Sequence, residues 1–541
     1  MATQQPSASG PASLGLSSRP ASPPSAADSP SHGSDVQRLK KGSIGMLTVL
    51  FIGLANAAPI TGMTGNVPIA IGYGNGSHAP GGFLVAMLVL AIFSVGYTAM
   101  ARHITATGAF YGYISHGLGQ AWGMASGLLA TMAYVVFEAS LVGIFSSVAR
   151  TTVINFGGPT ISWIVYALAV IAVVAAFGYF DVSLSGHVLG VFLIAELVIL
   201  LTMAVAVFIS GGASGLHPGE LNPLAAFTAA PTDVAAGVTG SVGIGLFFAF
   251  WSWIGYETTA VYGEESRDPK RIVPRATMIA VIMLGLLFTF VSWMVIAGNG
   301  PAQALAVSRG STGNAFDLFY GATQHYVGGW AKDVYQVLLI TGSFACALAF
   351  HNAACRYMYA LGREGLSRGL SRTVGATHPR HGSPHIASLL QSAITLVITL
   401  LFFTLVTPAK GAPDVPYYYQ YGLLALLGTL AIFVVQIVCS ISVVFYFHVG
   451  KRHPETRTWW RTLAAPLIGA VGLTAVAYTL VKNLNFAAGA ASGSLVFKAT
   501  PYLVIGFFLV GLLVAIAVRA LDPERYALIG RIVLDDSRER R

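Results

Sequence analysis

Three carboxylates stand inside long apolar runs: Glu257 in GIGLFFAFWSWIGYETTAVYG, Glu138 in AYVVFEASLVG and Glu196 in FLIAELVILL. A charge at mid-bilayer costs about 2.5–3.5 kcal/mol on insertion scales, so an acid in such a run marks a functional site by default. A desolvated carboxylate can take up and release a proton, the property a proton-coupled carrier needs, and Glu196 and Glu138 are the candidates. The plainer alternative for both is a protonated acid that hydrogen-bonds a neighbouring helix. A third role is attraction of a cationic substrate.

Glu257 has a more particular setting. Gly255 lies two residues before it, and Phe247, Phe248, Phe250, Trp251 and Trp253 crowd the preceding turns. Glycine lets the backbone open, and open backbone at membrane depth is tolerated only where it lines a cavity. The stretch therefore reads as a broken membrane helix. A second such run, NAAPITGMTGNVPIAIGYG, carries Pro59, Gly62, Gly65, Pro68 and Gly72. Alone it would read equally as a kinked packing helix. Two interrupted helices, one opening each half of the chain, point to a transporter's midplane binding site.

The chemistry of that site follows. A half-helix beginning near Thr61–Gly65 would offer unpaired N–H groups and a positive dipole end to a carboxylate. Unwound carbonyls near Trp253–Gly255 would suit an ammonium group, and an α-amino acid zwitterion carries both charges. The substrate-binding candidates are Thr61, Gly62, Thr64, Gly65, Phe250, Trp251, Trp253, Gly255 and Glu257, with one or two of the aromatics as gates. His351 and Asn352 read as helix-packing hydrogen bonders. Cys346, Cys355 and Cys439 lack metal-type spacing and read as small buried hydrophobes, and no cofactor is implied.

The elements that must hold these residues are membrane helices. Of 541 residues, 55% are hydrophobic and 9% charged, with mean hydropathy +0.69; soluble proteins carry about 25% charged residues. Apolar runs long enough to span a bilayer recur along the chain. The fold class expected is an all-α integral membrane protein of twelve spans, roughly 43–73, 81–101, 121–149, 162–180, 186–209, 238–260, 276–297, 333–361, 385–406, 418–447, 463–481 and 500–519. Residues 1–36, rich in Ser, Pro, Ala and Gly, are expected to form a disordered cytoplasmic tail. Residues 37–520 form the membrane domain, and 521–541 a solvated cytoplasmic tail near anionic lipid. With the N-terminus inside, 24 Lys and Arg fall on the cytoplasmic side and six outside, as the positive-inside rule requires. The same placement makes the basic loops topology determinants, and it speaks against a nucleic-acid partner for the net charge of +9.

With these residues in hand a resemblance is visible. FWSWIGYETTAVYGEESRDPKRIVPRAT resembles the span 6 and following-loop signature of the amino acid–polyamine–organocation permeases. ITATGAFYGYISHGLG looks like that family's G-x-x-Y segment, and NAACRYMYALGREG is similar to its span 8 exit. The resemblance covers roughly residues 40–520. It implies a five-plus-five inverted repeat (about 43–209 and 238–447) with discontinuous helices 1 and 6, and two further helices within about 463–519. Trp251 matches the family's gating aromatic and Glu257 its span 6 glutamate. Glu196 stands where proton-coupled members often place a lysine, and TGMTGNVP replaces the common G-S/T-G-I-F. The function implied is proton-coupled uptake of an amino acid or an amine or polyamine across the plasma membrane, by alternating access. The alternative is an antiporter of the same fold, exchanging an amino acid for its amine product. A membrane-embedded enzyme would need a polar catalytic cluster, and a sensor a folded soluble domain; the sequence offers neither.

Overall fold

The computed structural model describes residues 42–530 apart from 43, 106–107, 181, 229–231, 234–237, 240, 311, 313–314, 365–366, 409–413 and 485–493. The expected N-terminal tail (1–36) and the last eleven residues lie outside the described residues.

Helices dominate. In chain order they are α1 (Met46–Asn56), α2 (Pro59–Ile69), α3 (Ala79–Ala101), α4 (Phe110–Leu118), α5 (Gln120–Asn155), α6 (Trp163–Tyr179), α7 (Val182–Ser210), α8 (Val242–Trp251) and α9 (Pro269–Asn299). There follow α10 (Pro301–Ser308), α11 (Asp317–Tyr326), α12 (Gly329–Arg363), α13 (Arg368–Arg372), α14 (His385–Leu405), α15 (Gly422–Val444), α16 (Ala465–Lys482), α17 (Leu495–Leu521) and α18 (Pro523–Leu528). The strands among the described residues are a two-residue pair, Thr232–Asp233 with Val238–Thr239. Among the described residues, nine helical stretches are long and apolar enough to cross a membrane, the first being Met46–Ala101, and Trp163–Tyr179 is a shorter apolar helix.

Burial orders the bundle. The 36-residue α5 and 35-residue α12 pack along each other at its centre. At the periphery α7, α14 and α17 turn Leu201, Phe208, Val397, Leu401, Leu513 and Ile516 outward. Apolar side chains facing out and polar ones within is the pattern hydrocarbon solvent selects. Close helix contact depends on small residues. A Cβ on Gly285 of α9 would fall 2.1 Å from Met87 of α3, so only glycine lets those two helices meet.

Both interruptions expected from sequence are present, each with a physical cause. α1 ends at Asn56, and Ala58 holds φ 44°, a left-handed conformation that costs an L-residue about 1–2 kcal/mol. Pro59 then opens α2 at the position where its missing N–H is harmless and its fixed φ is already helical. The half-helix thus starts two residues ahead of the Thr61–Gly65 register anticipated above: Pro59, not the glycines, sets the break. α8 ends at Trp251, and the chain resumes as a 3-10 turn at Tyr256–Ala260 after Gly255, whose φ of 114° favours glycine.

Candidate functional site

The two breaks face each other around a small cavity of about 30 Å³. Such a volume holds one or two waters. At its α2 end stand Thr61 and Gly62, with Ala57, Ala58 and Asn56 from the break. Across from them are Trp251, Ser252 and Ile254 from the end of α8. The scaffold adds Phe137, Ser140 and Leu141 from α5, Cys346 and Phe350 from α12, and Tyr421. A chain of hydrogen bonds ties the two broken helices together. Tyr421 Oη donates to Asn66 Oδ1 at 3.2 Å, Asn66 Nδ2 to Ser252 Oγ at 2.9 Å, and Ser252 Oγ to the Phe248 carbonyl at 2.8 Å. Asn56 Nδ2 donates to Thr258 Oγ1, whose hydroxyl in turn donates to the Gly255 carbonyl at 2.5 Å. Thr61 Oγ1 and Asn56 Oδ1 are buried without a partner among the described residues. Buried polar atoms left so are costly, about 1–3 kcal/mol each, and here they border the cavity.

Of the nine binding candidates read from sequence, Thr61, Gly62 and Trp251 line this cavity. Trp251 packs at a tilt against Tyr421, ring centroids 5.1 Å apart, and so covers one side. The others surround the breaks but face elsewhere. Thr64 shares a 2.7 Å hydrogen bond with Tyr335, Gly65 lies against the Tyr421 hydroxyl, and Phe250 meets Phe433 edge-on. Trp253 packs on Phe83 and Phe288, its Nε1 donating to the Val281 carbonyl at 3.3 Å. Gly255 lies against Asn56, closing one break onto the other. Glu257 lies outside the cavity lining: its carboxylate accepts from Tyr134 Oη at 3.0 Å and from the Gly255 amide at 3.0 Å.

The other two membrane acids are also engaged. Glu196 Oε2 sits 3.5 Å from the Ile60 amide at the start of α2, in a slot that Gly342 leaves open: a Cβ there would fall 2.8 Å from the carboxylate. Glu138 accepts from Gln391 Nε2 and from Thr395 Oγ1 at 3.0 Å, and its Oε1 lies 3.2 Å from His351 Nδ1. His351 Nε2 meets Ser388 Oγ at 2.8 Å, so the histidine read as a packing residue is also the neighbour of a buried acid.

A second polar cluster lies beyond the broken helix. Arg356 of α12 grips Glu265 with two bonds, 2.7 and 3.2 Å, gives a third to the Asn352 carbonyl at 2.9 Å, and lies 4.2 Å over the Tyr262 ring. Further along α12, Arg363 grips Glu264 at 2.6 and 3.0 Å. The sequence assigned neither arginine a role of its own; both are buried partners of acids at the end of the broken helix, joining two segments 91 and 99 residues apart in sequence. Bidentate Arg–carboxylate geometry is the strong form of such a contact, and it orders both segments.

Several lining residues escaped the sequence reading. Asn56, a lone amide just before the break in an apolar helix, was a visible signal. Ser140, Ser252, Cys346 and Tyr421 gave none, because each reaches the cavity only through packing.

The sequence matches the amino acid permease family over residues 44–519. It is 28% identical to an uncharacterized transporter of Mycobacterium tuberculosis over 358 residues, covering 66% of this chain and 73% of that one. It is 24% identical to a branched-chain amino acid permease of Lactococcus lactis (56% and 64% covered) and 22% identical to a low-affinity putrescine importer of Escherichia coli (65% and 73% covered). Spanning most of the chain and including both broken helices, the family match makes this protein a member of the amino acid permease family in the amino acid–polyamine–organocation superfamily: a multi-pass membrane transporter for amino acids or amines, and not an enzyme.

Proposed function

We propose that the protein carries an α-amino acid with a small, uncharged side chain into the cell together with protons, by alternating access around the cavity between the two breaks. The observation that carries the substrate reading is the cavity lining. Thr61, in the first turn of α2, stands at a helix N-terminus that suits a carboxylate, with Gly62 beside it at the cavity. The unwound stretch at Ser252–Ile254 offers carbonyls to an ammonium group, and Phe137, Leu141, Ile254 and Phe350 remain for an apolar side chain. No Asp, Glu, Lys or Arg is among the lining residues, and all three membrane acids are engaged elsewhere. A diamine would bring a second cation with no carboxylate to meet it, at a desolvation cost of several kcal/mol.

The architecture behind this reading is twelve spans in a five-plus-five inverted repeat. The parallel between α1–α2 and α8 with its 3-10 extension, each an apolar half-helix followed within four residues by a positive-φ residue, supports it. The excess of Lys and Arg on one side supports cytoplasmic termini for a plasma-membrane protein. The Arg356–Glu265 and Arg363–Glu264 pairs then form the inner seal, which must part for release inward.

For coupling, Glu196 is favoured because its carboxylate touches the amide of a helix that must move. Protonation removes the attraction between that carboxylate and the positive end of α2. In proteoliposomes with an inward proton gradient, labelled L-valine should accumulate while labelled putrescine should not. Glu196→Gln should lose the accumulation yet keep valine exchange. Equal uptake of putrescine would discard the substrate reading, and undiminished accumulation by the variant would discard the role of Glu196. Trp251→Ala, which uncovers one side of the cavity, should raise KM for valine about tenfold, the equivalent of 1.4 kcal/mol; an unchanged KM would remove Trp251 from the site.

A further inference from the structure

Beyond the last long helix the chain does not leave the protein. Asp522 caps α18, accepting from the Arg525 amide at 3.1 Å and pairing with its side chain at 2.9 Å. Arg519 lies 5.7 Å over the Tyr526 ring, which folds the short helix back against α17. Ile529 is then 2% exposed. The backbone N–H of Gly530 donates to Glu364 Oε2 at 2.6 Å and lies 3.2 Å from Tyr111 Oη. Gly530 holds φ 72°, and a Cβ there would stand 2.3 Å from Ser115 Cβ, so the seat accepts glycine alone. A solvated tail was expected for 521–541; of its described part, Pro523–Leu528 is largely exposed, while Ile529 and Gly530 dock because one isoleucine and one amide find a buried seat.

The seat adjoins the inner seal. Glu364 directly follows Arg363, the residue that holds Glu264 across the seal, and it is itself 6% exposed. A buried carboxylate takes the best donor within reach, since leaving it unpaired is costly. With Gly530 seated, that donor is an amide of the docked segment. With the seat empty, the Tyr111 hydroxyl and the guanidinium of Arg363 are left to meet Glu364, and turning that guanidinium toward Glu364 breaks its two-bond grip on Glu264.

We propose that residues 522–530 are an intramolecular latch: by meeting Glu364 with the Gly530 amide, they keep the Arg363 guanidinium turned to Glu264 and hold the inner seal closed. Undocking, by whatever binds or modifies the C-terminal segment, shifts the carrier toward its inward-open form. The proposal rests on the reading that this end of the bundle faces the cytoplasm and opens during transport.

The test measures seal opening without any substrate. Cys355, buried beside Arg356, reports it in a Cys346→Ser, Cys439→Ser protein in inside-out vesicles, through its rate of reaction with a small thiol reagent. Ending the chain after Asp522 should speed that labelling by about fivefold or more, a typical coupling factor. Gly530→Leu, which keeps the full chain but cannot seat, should do the same. In a Glu364→Gln background both changes should have a much smaller effect, because a neutral amide draws Arg363 far less strongly than a carboxylate. Unchanged labelling in both variants, or an acceleration that persists undiminished in the Glu364→Gln background, overturns the latch. Loss of valine transport with the expected labelling kinetics would instead count against the substrate reading and leave the latch standing.

Discussion

Replacing Arg356 with alanine should destabilise the folded protein by about 3–5 kcal/mol and abolish transport, the largest single effect expected of any residue discussed. The reason is the fate of Glu265. Its side chain is 2% exposed and takes both of its strong bonds from this guanidinium, so removal of Arg356 strands a charge in the bundle. The Asn352 carbonyl and the Tyr262 ring lose a partner as well. Glu265→Gln should cost less, because a neutral amide can still accept from Arg356. The double change Arg356→Met, Glu265→Met should recover much of the thermal stability, since an apolar pair of similar volume strands no charge. It should nevertheless fail to transport normally, because the seal would then lack a contact that breaks and reforms. Detergent melting temperatures beside proteoliposome uptake check each step. A single Arg356→Ala variant with wild-type melting and uptake would show that the pair contributes neither to stability nor to gating.

Gly255→Ala should leave the protein inserted and folded yet lower valine uptake by about a hundredfold. Two costs add at that position. The backbone sits at φ 114°, outside the conformations an alanine adopts readily, and the new Cβ would stand 2.7 Å from Asn56 Cβ and 2.8–2.9 Å from its backbone carbonyl. Strain of about 1–2 kcal/mol plus overpacking of about 1–3 kcal/mol gives roughly 3 kcal/mol. Relief requires the two breaks to move apart, which separates Thr61 and Gly62 from Ser252. Far from the breaks the same substitution should be mild: Gly506 of α17 has open space around it, and Gly506→Ala should transport normally. Uptake rates for the two alanine variants, compared at equal amounts of reconstituted protein, decide the point.

What the sequence made legible was whatever one segment can express alone. Pro59 and Gly255 are local devices, so both breaks could be read from their neighbours. Glu138, Glu196 and Glu257 announced themselves by charge in an apolar run. The partners of those acids were illegible: nothing near Glu138 in sequence points to Gln391 or His351, more than 200 residues away. The aromatic cluster was seen but could not be sorted. Trp251 and Trp253 are two residues apart, yet one covers the cavity and the other packs on Phe83 and Phe288, because the helix ends between them. The roles of the arginines of the span 8 exit were illegible for a related reason. A cation near a helix end usually reaches solvent, and only the fold brings Glu264 and Glu265 back to meet Arg363 and Arg356.

The hollow between the broken helices carries its own reporter. Cys346 lines it, its thiol 3.5 Å from the Asn56 carbonyl. In a Cys355→Ser, Cys439→Ser protein, a small methanethiosulfonate reagent should modify Cys346 during turnover and inhibit uptake. Saturating L-valine should slow that modification by about tenfold or more, since bound solute and reagent compete for one space. Modification at the same rate with and without valine, while valine is being transported, would mean that the solute passes elsewhere and that the two breaks do not form its binding site.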